Sequence, residues 1–516
     1  MKELPVDVSS FSRMRSRNFI YIDKTEYIYN LFSGGAQYYF LSRPRRFGKS
    51  LLVSTLGEIF SGNKQLFEGL WISQSDYDWQ QYPVITLDFS TIARKTPEDL
   101  EISLILNLNE IAKAYSVDIS EAQLLNDKFV MLIKKLADKN KVVLLVDEYD
   151  KPILDHITDI PKAEAIRTVL SNFYDALKGM DNYMRAIFVT GVTKFAKTSL
   201  FSGINNLNDI SIKPEADAIL GYTYEEINTN FDEYLQQIAV DKPLPTLLEA
   251  MQRWYNGYRF SDKETKVYNP FSVLYYLKDK KLRNYWFQSG TPTFLINLLR
   301  QQYNDLSDLK KMELDPDSLV SFQINDIPLV PLLFQAGYLT FVDYNANEDK
   351  FILGFPNFEV EASFKKFLVG VLSYSSRITV DTLRLRLLEA LNNNSLDDFC
   401  RILLTLFAHI PNTLKIDKES YYHSLFQFAM SLLSLEAQSE YLTNIGRIDM
   451  VVPTKKQIYI FEFKLNIDSS KALQQILDKK YYERFMELGK EIVLVGISIN
   501  TKDEAFVIEH SSQILN

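Results

Sequence analysis

A glutamate and a lysine lie one residue apart in a strand-forming run near the end of the sequence. The run IYIFEFKL covers residues 458–465. Alternation along a strand puts Glu462 and Lys464 on one face, while Phe461 and Phe463 share the other. A carboxylate binds hard cations, and a nearby ammonium can orient a water and offset charge that develops on phosphorus. The spacing therefore predicts metal-dependent phosphodiester chemistry.

A second carboxylate precedes this run in the segment GRIDMVVPTKKQ, where PTKK has turn character. Folding a hairpin symmetrically about that turn predicts Asp449 opposite Ile460, on the face of Glu462. Diagonal neighbours on one face lie about 7–8 Å apart, so both carboxylates reach one cation. We predict that Asp449 and Glu462 bind Mg²⁺, or alternatively Mn²⁺, and that the Phe463 carbonyl is a third ligand. Lys464 is predicted to orient the attacking water or to help deprotonate it.

Three more polar residues are candidates for the same site. Glu440, before the hairpin, is a candidate further ligand or a residue behind the ligands. Gln475 and Tyr481 follow the strand in ALQQILDKKYYERF, a helical pattern, and are candidates for contacting a phosphate backbone. The alternative interpretation of the hairpin is an edge strand that uses Glu462 and Lys464 against aggregation.

A second chemical motif, SRPRRFGKSLL, follows the strand-like run YYFL and opens a helix. Backbone N–H groups and the helix dipole converge on an anion in that context. Lys49 would then contact the β- and γ-phosphates and Ser50 would bind Mg²⁺. The general motif has glycine where Arg43 stands, and a basic loop at a helix start is the alternative. The predicted nucleotide-contacting residues of this loop are Arg46, Phe47, Gly48, Lys49, Ser50 and Leu51.

An acidic pair supports the nucleotide hypothesis. KVVLLVDEYDKPI is an aliphatic run typical of a strand buried on both faces, and it ends in Asp147 and Glu148. In a Walker-type ATPase the aspartate holds Mg²⁺ and the glutamate polarises the attacking water. A later strand, AIFVTGVTK, ends in Thr190 and Thr193. Such ATPases place a γ-phosphate-sensing side chain there, and we predict this role for Thr190, although threonine at a strand end also serves turns.

Composition restricts the class of protein. The chain has 516 residues, 46% hydrophobic and 24% charged, which is typical of a multidomain globular protein. It has one cysteine, and its four histidines lack zinc-ligand spacing, so a metal site must use carboxylates. We find no signal peptide and no apolar run long enough to cross a membrane, and predict a cytoplasmic location without membrane association. The net charge of −9 argues against binding nucleic acid through overall positive charge.

Three units are needed to position these residues. Strand and helix patterns alternate over residues 1–213, which predicts a mainly parallel α/β sheet with helices on both faces, the setting of a P-loop. Residues 214–380 read as a helical lid followed by a winged-helix-like unit. Residues 381–516 read as a helical linker and a mixed α/β domain.

The sequence resembles a bacterial AAA-ATPase-like family whose members carry a C-terminal PD-(D/E)XK nuclease domain. The resemblance rests on segments in the same order, namely FIYIDKTEYIYNL, FLSRPRRFGKSLL, VDEYDKPI, FVTGVTKFAKTSLFSGINNLNDIS, WYNGYRFS, VYNPFSV and YWFQSGTPTFL. In that family this loop replaces the usual first glycine, so Arg43 departs only from the general motif. The resemblance implies an AAA-like P-loop ATPase domain in residues 1–213 and a restriction-endonuclease-like fold in the C-terminal domain. It also implies ATP as cofactor and the D…(D/E)-x-K arrangement at Asp449, Glu462 and Lys464.

Together these patterns predict an ATPase fused to a Mg²⁺-dependent phosphodiesterase, with the ATP state controlling access of nucleic acid, DNA rather than RNA, to the hairpin. An oligomer formed through the ATPase domain is compatible with this prediction. The alternative is a nucleotide-operated switch whose C-terminal domain binds nucleic acid or protein without cleaving it.

Overall fold

The computed structural model describes residues 1–34, 37–194, 200–201, 204, 206–240, 243–288, 295, 312–319, 323–324, 326–372, 380–408, 438–443, 446–454, 456–500 and 507–515. They form two compact units. Unit 1 comprises Met1–Phe294 and Lys311–Val360, and unit 2 comprises Leu295–Lys310 and Glu361–Asn516. The predicted three-way division at residues 213 and 380 stays a prediction.

Unit 1 is built on a five-stranded sheet in which all pairings are parallel, in the order β2-β3-β4-β1-β5. Its central strands are aliphatic and aromatic, as expected for strands buried on both faces. The predicted parallel α/β sheet is therefore confirmed. The strands are β1 (Tyr38–Ser42), β2 (Val84–Asp88), β3 (Val142–Asp147), β4 (Met184–Gly191) and β5 (Asn208–Asp209).

Helices surround this sheet and continue beyond it. Those of the sheet region are α1 (Phe11–Ser16), α2 (Thr25–Ser33), α3 (Lys49–Phe60), α4 (Pro97–Ala114), α5 (Leu125–Ala137), α6 (Lys151–Leu154) and α7 (Ile160–Asp175). Those that follow are α8 (Tyr224–Asn230), α9 (Asp232–Ile238), α10 (Leu244–Tyr255), α11 (Pro270–Asp279), α12 (Tyr285–Gln288) and α13 (Leu329–Ala336). Short 3₁₀ turns cover Lys64–Phe67, Trp71–Gln74, Pro214–Ala216 and Pro316–Leu319.

Helix α3 packs on the sheet directly behind the loop that follows β1. Its Leu52 and Leu56 are buried in one cluster with Val143 and Leu145 of β3 and Phe188 of β4. Burial of aliphatic side chains at about 25 cal/mol per Å² stabilises this contact. The start of α3, and with it the GKS segment, is therefore held at the carboxyl end of the sheet.

A small antiparallel sheet has one strand before α13 and two strands after it. It has the order β6-β8-β7, with β6 at Met312–Leu314, β7 at Thr340–Asn345 and β8 at Lys350–Gly354. Gly337 ends α13 with a φ of 90°, in the left-handed region that favours glycine. A helix end followed by a two-stranded wing is what the sequence predicts here.

Unit 2 contains a mixed sheet in the order β13-β12-β11-β10-β9. Strands β11 and β12 are parallel and are joined through helix α17, while the other pairs are antiparallel. Its elements are α14 (Phe358–Leu372), α15 (Val380–Asn392), α16 (Leu396–Ala408), β9 (Gln438–Thr443), β10 (Gly446–Pro453), β11 (Gln457–Leu465), α17 (Ser469–Asp478), a 3₁₀ turn (Glu483–Leu488), β12 (Glu491–Asn500) and β13 (Val507–Leu515).

Strand β11 is covered on both faces. Ile458 and Ile460 pack in a cluster with Ile476 of α17, while Phe461 stacks on Phe399 of α16, with ring centroids 5.5 Å apart. Within the described part of the chain, no helix is both long and apolar enough to cross a membrane.

Candidate nucleotide and metal sites

The loop between β1 and α3 has the geometry of an anion site. Gly48 precedes the first turn of α3 with a φ of 96°, and Arg46 has a φ of 64°. The Lys49 ammonium is buried and donates to the carbonyls of Arg43 and Pro44, both at 2.9 Å. Burial lowers the pKa of Lys49, while Asp147 and Glu148 oppose that shift. The lysine is thus held at the loop by carbonyl groups and by the acidic pair.

Arg43, which stands where the general motif has glycine, anchors the loop from behind. Its guanidinium is buried and donates to the carbonyls of Ser42, Ser211 and Ala216 at 2.6–2.9 Å. It also lies 4.1 Å from the ring centre of Phe260. Burial lowers the pKa of Arg43 to about 9. These contacts fix the loop without the tight backbone turn that a glycine would provide.

The acidic pair ends β3 beside this loop. Asp147 is 4% exposed, and burial raises its pKa although a hydrogen bond from Ser50 and the charge of Lys49 lower it. Among the residues that the structure describes, its Oδ1 has no hydrogen-bond partner. A buried carboxylate oxygen beside a serine hydroxyl is a suitable pair of ligands for Mg²⁺. Glu148 has a φ of 53° and lines the adjacent cleft.

Asp150 braces the turn that carries this pair, a role that the sequence prediction missed. Its Oδ2 accepts from the backbone N–H groups of Val192 and Thr193 at 3.0 and 2.7 Å, and from the Thr193 hydroxyl at 2.6 Å. The hydroxyl of Tyr149 donates to the carbonyl of Thr193. The third acid in DEYD was the available signal.

The structure does not bring Thr190 to the cleft. Its hydroxyl is fully buried and donates to the Leu41 carbonyl at 2.8 Å, across the β1–β4 pair. In this conformation Thr190 joins two strands and does not face a phosphate.

A cleft of about 440 Å³ opens above the loop. It is bounded by loop residues, by the acidic turn, by the N-terminal segment and by α11. An apolar pocket of about 70 Å³ adjoins it, and Ile22, Phe47 and Leu220 are among the residues that line it. The predicted residues that line the cleft are Arg46, Gly48, Lys49, Ser50, Leu51 and Glu148.

The hairpin of unit 2 has a different register from the predicted one. Val451 pairs with Ile460 and Met450 with Phe461, so continuing one residue places Asp449 opposite Glu462 and not opposite Ile460. The prediction was wrong because the turn is displaced by one residue: Thr454 N–H donates to the Gln457 carbonyl at 2.8 Å. A register shift of two preserves the face, so the carboxylates still lie together.

The charged residues of the hairpin are held closely. An oxygen of Asp449 accepts from the backbone N–H of Phe463 at 2.9 Å. Glu462 is only 2% exposed; its Oε1 accepts from the Gln475 amide and lies 3.8 Å from the Lys464 ammonium. The structure thus unites Asp449, Glu462, Lys464 and Gln475 at one end of the hairpin.

Two accessory candidates have different placements. Ile448 pairs with Tyr441 and Met450 with Ser439, so the register puts Glu440 of β9 in the same cross-strand row as Asp449. Tyr481 is 2% exposed and packs in the core with Ile476, so it is not brought to a surface where it could contact phosphate. In the described residues, no group of three or more His, Cys, Asp or Glu side chains forms a metal cluster.

Comparisons with known proteins agree with this geometry. Residues 5–201 match the family model of a predicted AAA-ATPase, and residues 417–509 match the PD-(D/E)XK nuclease superfamily. The chain is also 36% identical over 527 aligned residues to the "Uncharacterized protein in vnfD 5'region" of Azotobacter chroococcum mcd 1, covering 98% of this chain and 99% of that one. The chain belongs to this family of AAA-ATPase-like proteins with a C-terminal PD-(D/E)XK domain.

Family membership confirms the resemblance that the motifs indicate. Among solved structures, the Aeropyrum pernix ORC1 protein in complex with DNA aligns with 66% of this chain and 90% of its own, at 11% identity and a TM-score of 0.24.

Proposed function

We propose that this protein is an ATP-hydrolysing P-loop ATPase fused to a Mg²⁺-dependent phosphodiesterase, and that its ATP state controls cleavage of nucleic acid, with DNA as the expected substrate. The observation that carries the proposal is the hairpin end, where Asp449, Glu462 and Lys464 converge and Gln475 holds the buried glutamate. A domain that only binds nucleic acid does not need this combination.

At the nucleotide site, the loop residues Arg46 to Leu51 offer backbone N–H groups to the phosphates of ATP, and Lys49 offers its ammonium. Ser50 and the unpaired oxygen of Asp147 would hold Mg²⁺, which supplies charge neutralisation of the phosphates. Glu148 would polarise the attacking water. The adjoining apolar pocket of about 70 Å³ shares Gly48 and Leu51 with the cleft, so we propose that it receives an apolar edge of the base.

At the hairpin, Asp449 and Glu462 would hold Mg²⁺, or Mn²⁺, with the carbonyl of Phe463. The ion supplies Lewis-acid activation of a water and of the scissile phosphate. Lys464 lies within 3.8 Å of Glu462 and is 25% exposed at its side chain, so its ammonium can face solvent, orient a water and stabilise charge on the phosphorus. Gln475 keeps Glu462 oriented, and the row position of Glu440 makes it a proposed further ligand.

The second candidate function is a nucleotide-operated switch whose C-terminal domain binds without cutting. The observation against it is the set of Asp449, Glu462 and Lys464, which a binding domain does not need. The burial of Glu462 counts against the separate edge-strand interpretation, since a carboxylate that served only to protect an edge strand would be exposed. Strand β11 is also central in its sheet and not an edge. A cytoplasmic location and assembly through the ATPase domain stay predictions.

The ATPase half of the proposal is tested by measuring ATP binding and phosphate release in the parent, Lys49→Ala and Glu148→Gln. We expect Lys49→Ala to lose most ATP affinity, and Glu148→Gln to bind ATP while hydrolysing it about 100-fold more slowly. Equal hydrolysis by Glu148→Gln and the parent would contradict the assigned role of Glu148. Absence of ATP binding in the parent would refute the nucleotide site.

A further inference from the structure

A lysine lies on the acidic side of the nucleotide cleft. Lys151 is the first residue of α6, and its Nζ is 3.7 Å from Oε2 of Glu148. The side chains of Lys151 and Glu148 are 27% and 33% exposed, and both line the cleft that also contains Lys49 and Ser50. The ammonium therefore stands next to the carboxylate that we propose polarises water.

The backbone beneath Lys151 is firmly held. Asp150, its neighbour, is 1% exposed and accepts three hydrogen bonds from the segment after β4. Tyr149 donates to the Thr193 carbonyl, and the backbone N–H of Lys151 donates to the Glu148 carbonyl at 3.0 Å. The turn fixes the position of the Lys151 Cα, while the four-carbon stem still lets the ammonium move.

The other cations of the cleft lie on the loop side. Lys49 is bound by two loop carbonyls, and Arg46 contacts Asp7 at 3.2 Å and lies 4.9 Å from the ring centre of Phe271. Arg45 also belongs to the loop. Among the lysines and arginines in the described lining of the cleft, Lys151 alone comes from the β3 side, next to Glu148. Negative charge develops there as the γ-phosphoryl group leaves ADP.

We propose that Lys151 is a catalytic residue of the ATPase. When ATP binds, the Lys151 ammonium leaves the Glu148 carboxylate and contacts an oxygen of the γ-phosphoryl group. The inference rests on the proposed ATPase function. A half-exposed ion pair at 3.7 Å is weak, so the exchange costs little. It also releases the Glu148 carboxylate to orient the attacking water.

In this reaction the water oxygen forms a bond to the γ-phosphorus and the bond to the bridging β–γ oxygen breaks. The electron pair of that bond stays on ADP, and the proton of the water leaves by way of Glu148 or the released phosphate. Lys151 neither gains nor loses a proton and acts by charge. Because Lys151 and Glu148 belong to one chain, the cation is supplied in cis, as arginine fingers are in some GTPases.

The test compares the full-length parent with Lys151→Met, Lys151→Arg and the matched control Lys178→Met. Lys178 is exposed just beyond the end of α7 and does not line the cleft. For each protein, single-turnover ATP hydrolysis is measured at several enzyme concentrations. The affinities for ADP, for ATP and for ADP with aluminium fluoride, a transition-state mimic, are measured in parallel.

We expect Lys151→Met to hydrolyse ATP about 100- to 1,000-fold more slowly at saturating ATP, while its ADP affinity stays within about twofold of the parent. It should lose the tighter binding of the aluminium fluoride complex, and Lys151→Arg should recover part of both. Lys178→Met should match the parent. Turnover per chain should not depend on enzyme concentration.

The inference would be overturned if Lys151→Met hydrolysed ATP at a rate within twofold of that of the parent. It would also be overturned by a variant that loses ADP and ATP affinity equally, because that pattern indicates a structural role. If the parent binds ATP without hydrolysing it, the ATPase proposal fails. The contact between Lys151 and the γ-phosphate is then tested by the ratio of ATP affinity to ADP affinity. Lys151→Met must lower this ratio if the contact exists.

Discussion

At the residue scale, a buried carboxylate connects the nucleotide loop with the region that follows it. Glu359, 1% exposed, accepts from the hydroxyl of Ser272 at 2.7 Å and from the backbone N–H of Trp286 at 2.6 Å. The Trp286 indole donates in turn to the carbonyl of Arg45 at 3.0 Å. Burial raises the pKa of Glu359 to about 7, against hydrogen bonds that lower it.

Because of this raised pKa, the free energy of unfolding of unit 1 depends on pH. Between about pH 4.5 and 7 the folded state keeps a proton on Glu359 that the unfolded chain releases. The contribution of Glu359 to the stability of unit 1 is therefore fully present below about pH 4.5 and is lost as pH rises through about 7. Glu359→Gln removes this decline. We expect the variant to match the parent at pH 4.5 and to exceed it at pH 8 by up to about 3 kcal/mol.

Urea unfolding followed by tryptophan fluorescence measures this effect in unit 1, because all four tryptophans belong to it: Trp71, Trp79, Trp254 and Trp286. Glu264→Gln, an exposed carboxylate in the same unit, is the control. A stability difference between Glu359→Gln and the parent that is the same at pH 4.5 and pH 8 would contradict the raised pKa.

At the element scale, helix α13 meets the nucleotide loop at Gly337. A Cβ built on Gly337 would lie 2.6 Å from Cβ of Pro44 and 3.3 Å from the Trp286 ring. Gly337→Ala should therefore move α13 away from the loop. We expect a loss of about 2–4 kcal/mol in the stability of unit 1, from backbone strain and overpacking, together with weaker ATP binding.

Gly179→Ala is the matched control for this prediction. Gly179 also has a positive φ, of 76°, but a Cβ there would meet nothing within 4 Å. It should lose about 1 kcal/mol from strain alone and keep its ATP affinity. Equal effects of the two substitutions on ATP affinity would show that contact of α13 with Pro44 does not support the loop.

A second glycine sets how closely helix α17 approaches the hairpin. Gly496 of β12 is beside Glu462, and a Cβ there would lie 2.3 Å from the Ser469 carbonyl oxygen and 2.4 Å from the Leu473 nitrogen. Gly496→Ala should displace α17 and with it the Gln475 amide from Glu462. We expect cleavage to fall about 100-fold, because a shift near 1 Å in a supporting group has effects of that size.

Gly489→Ala provides the comparison, since a Cβ on Gly489 meets nothing within 4 Å. Its cleavage should stay close to that of the parent. ATP hydrolysis is measured in both variants to check that unit 1 is intact. Full cleavage by Gly496→Ala would contradict the positioning of Glu462 by α17.

Three features of the fold were predictable because their signal lies in residues that are adjacent in the sequence. The aliphatic run before Asp147, the GKS helix start and the alternation in β11 each depend on neighbouring residues alone. The hairpin register was missed because one hydrogen bond of Thr454 displaces the turn. The sequence could not show the surroundings of Thr190 and Tyr481, because Thr190 bonds to β1 and Tyr481 packs against β10, β11 and β12, which are distant from them in the sequence.

At the scale of the whole molecule, one chain carries a proposed nucleotide site in unit 1 and a proposed metal site, built from carboxylates and a lysine, in unit 2. Each site has its own structural support: the brace of Asp150 in unit 1, and the Gln475 amide in unit 2. The proposed function requires that occupancy of the first site changes the activity of the second. This coupling is the central claim.

The most direct measurement is cleavage of plasmid, linear and single-stranded DNA with Mg²⁺ or Mn²⁺, with and without ATP, by the parent, Lys464→Ala and Lys49→Ala. We predict metal-dependent cutting that Lys464→Ala abolishes, that ATP changes in the parent, and that ATP no longer changes in Lys49→Ala. No cutting by a folded, ATP-binding parent under any of these conditions would contradict the account and favour a switch that binds without cleaving.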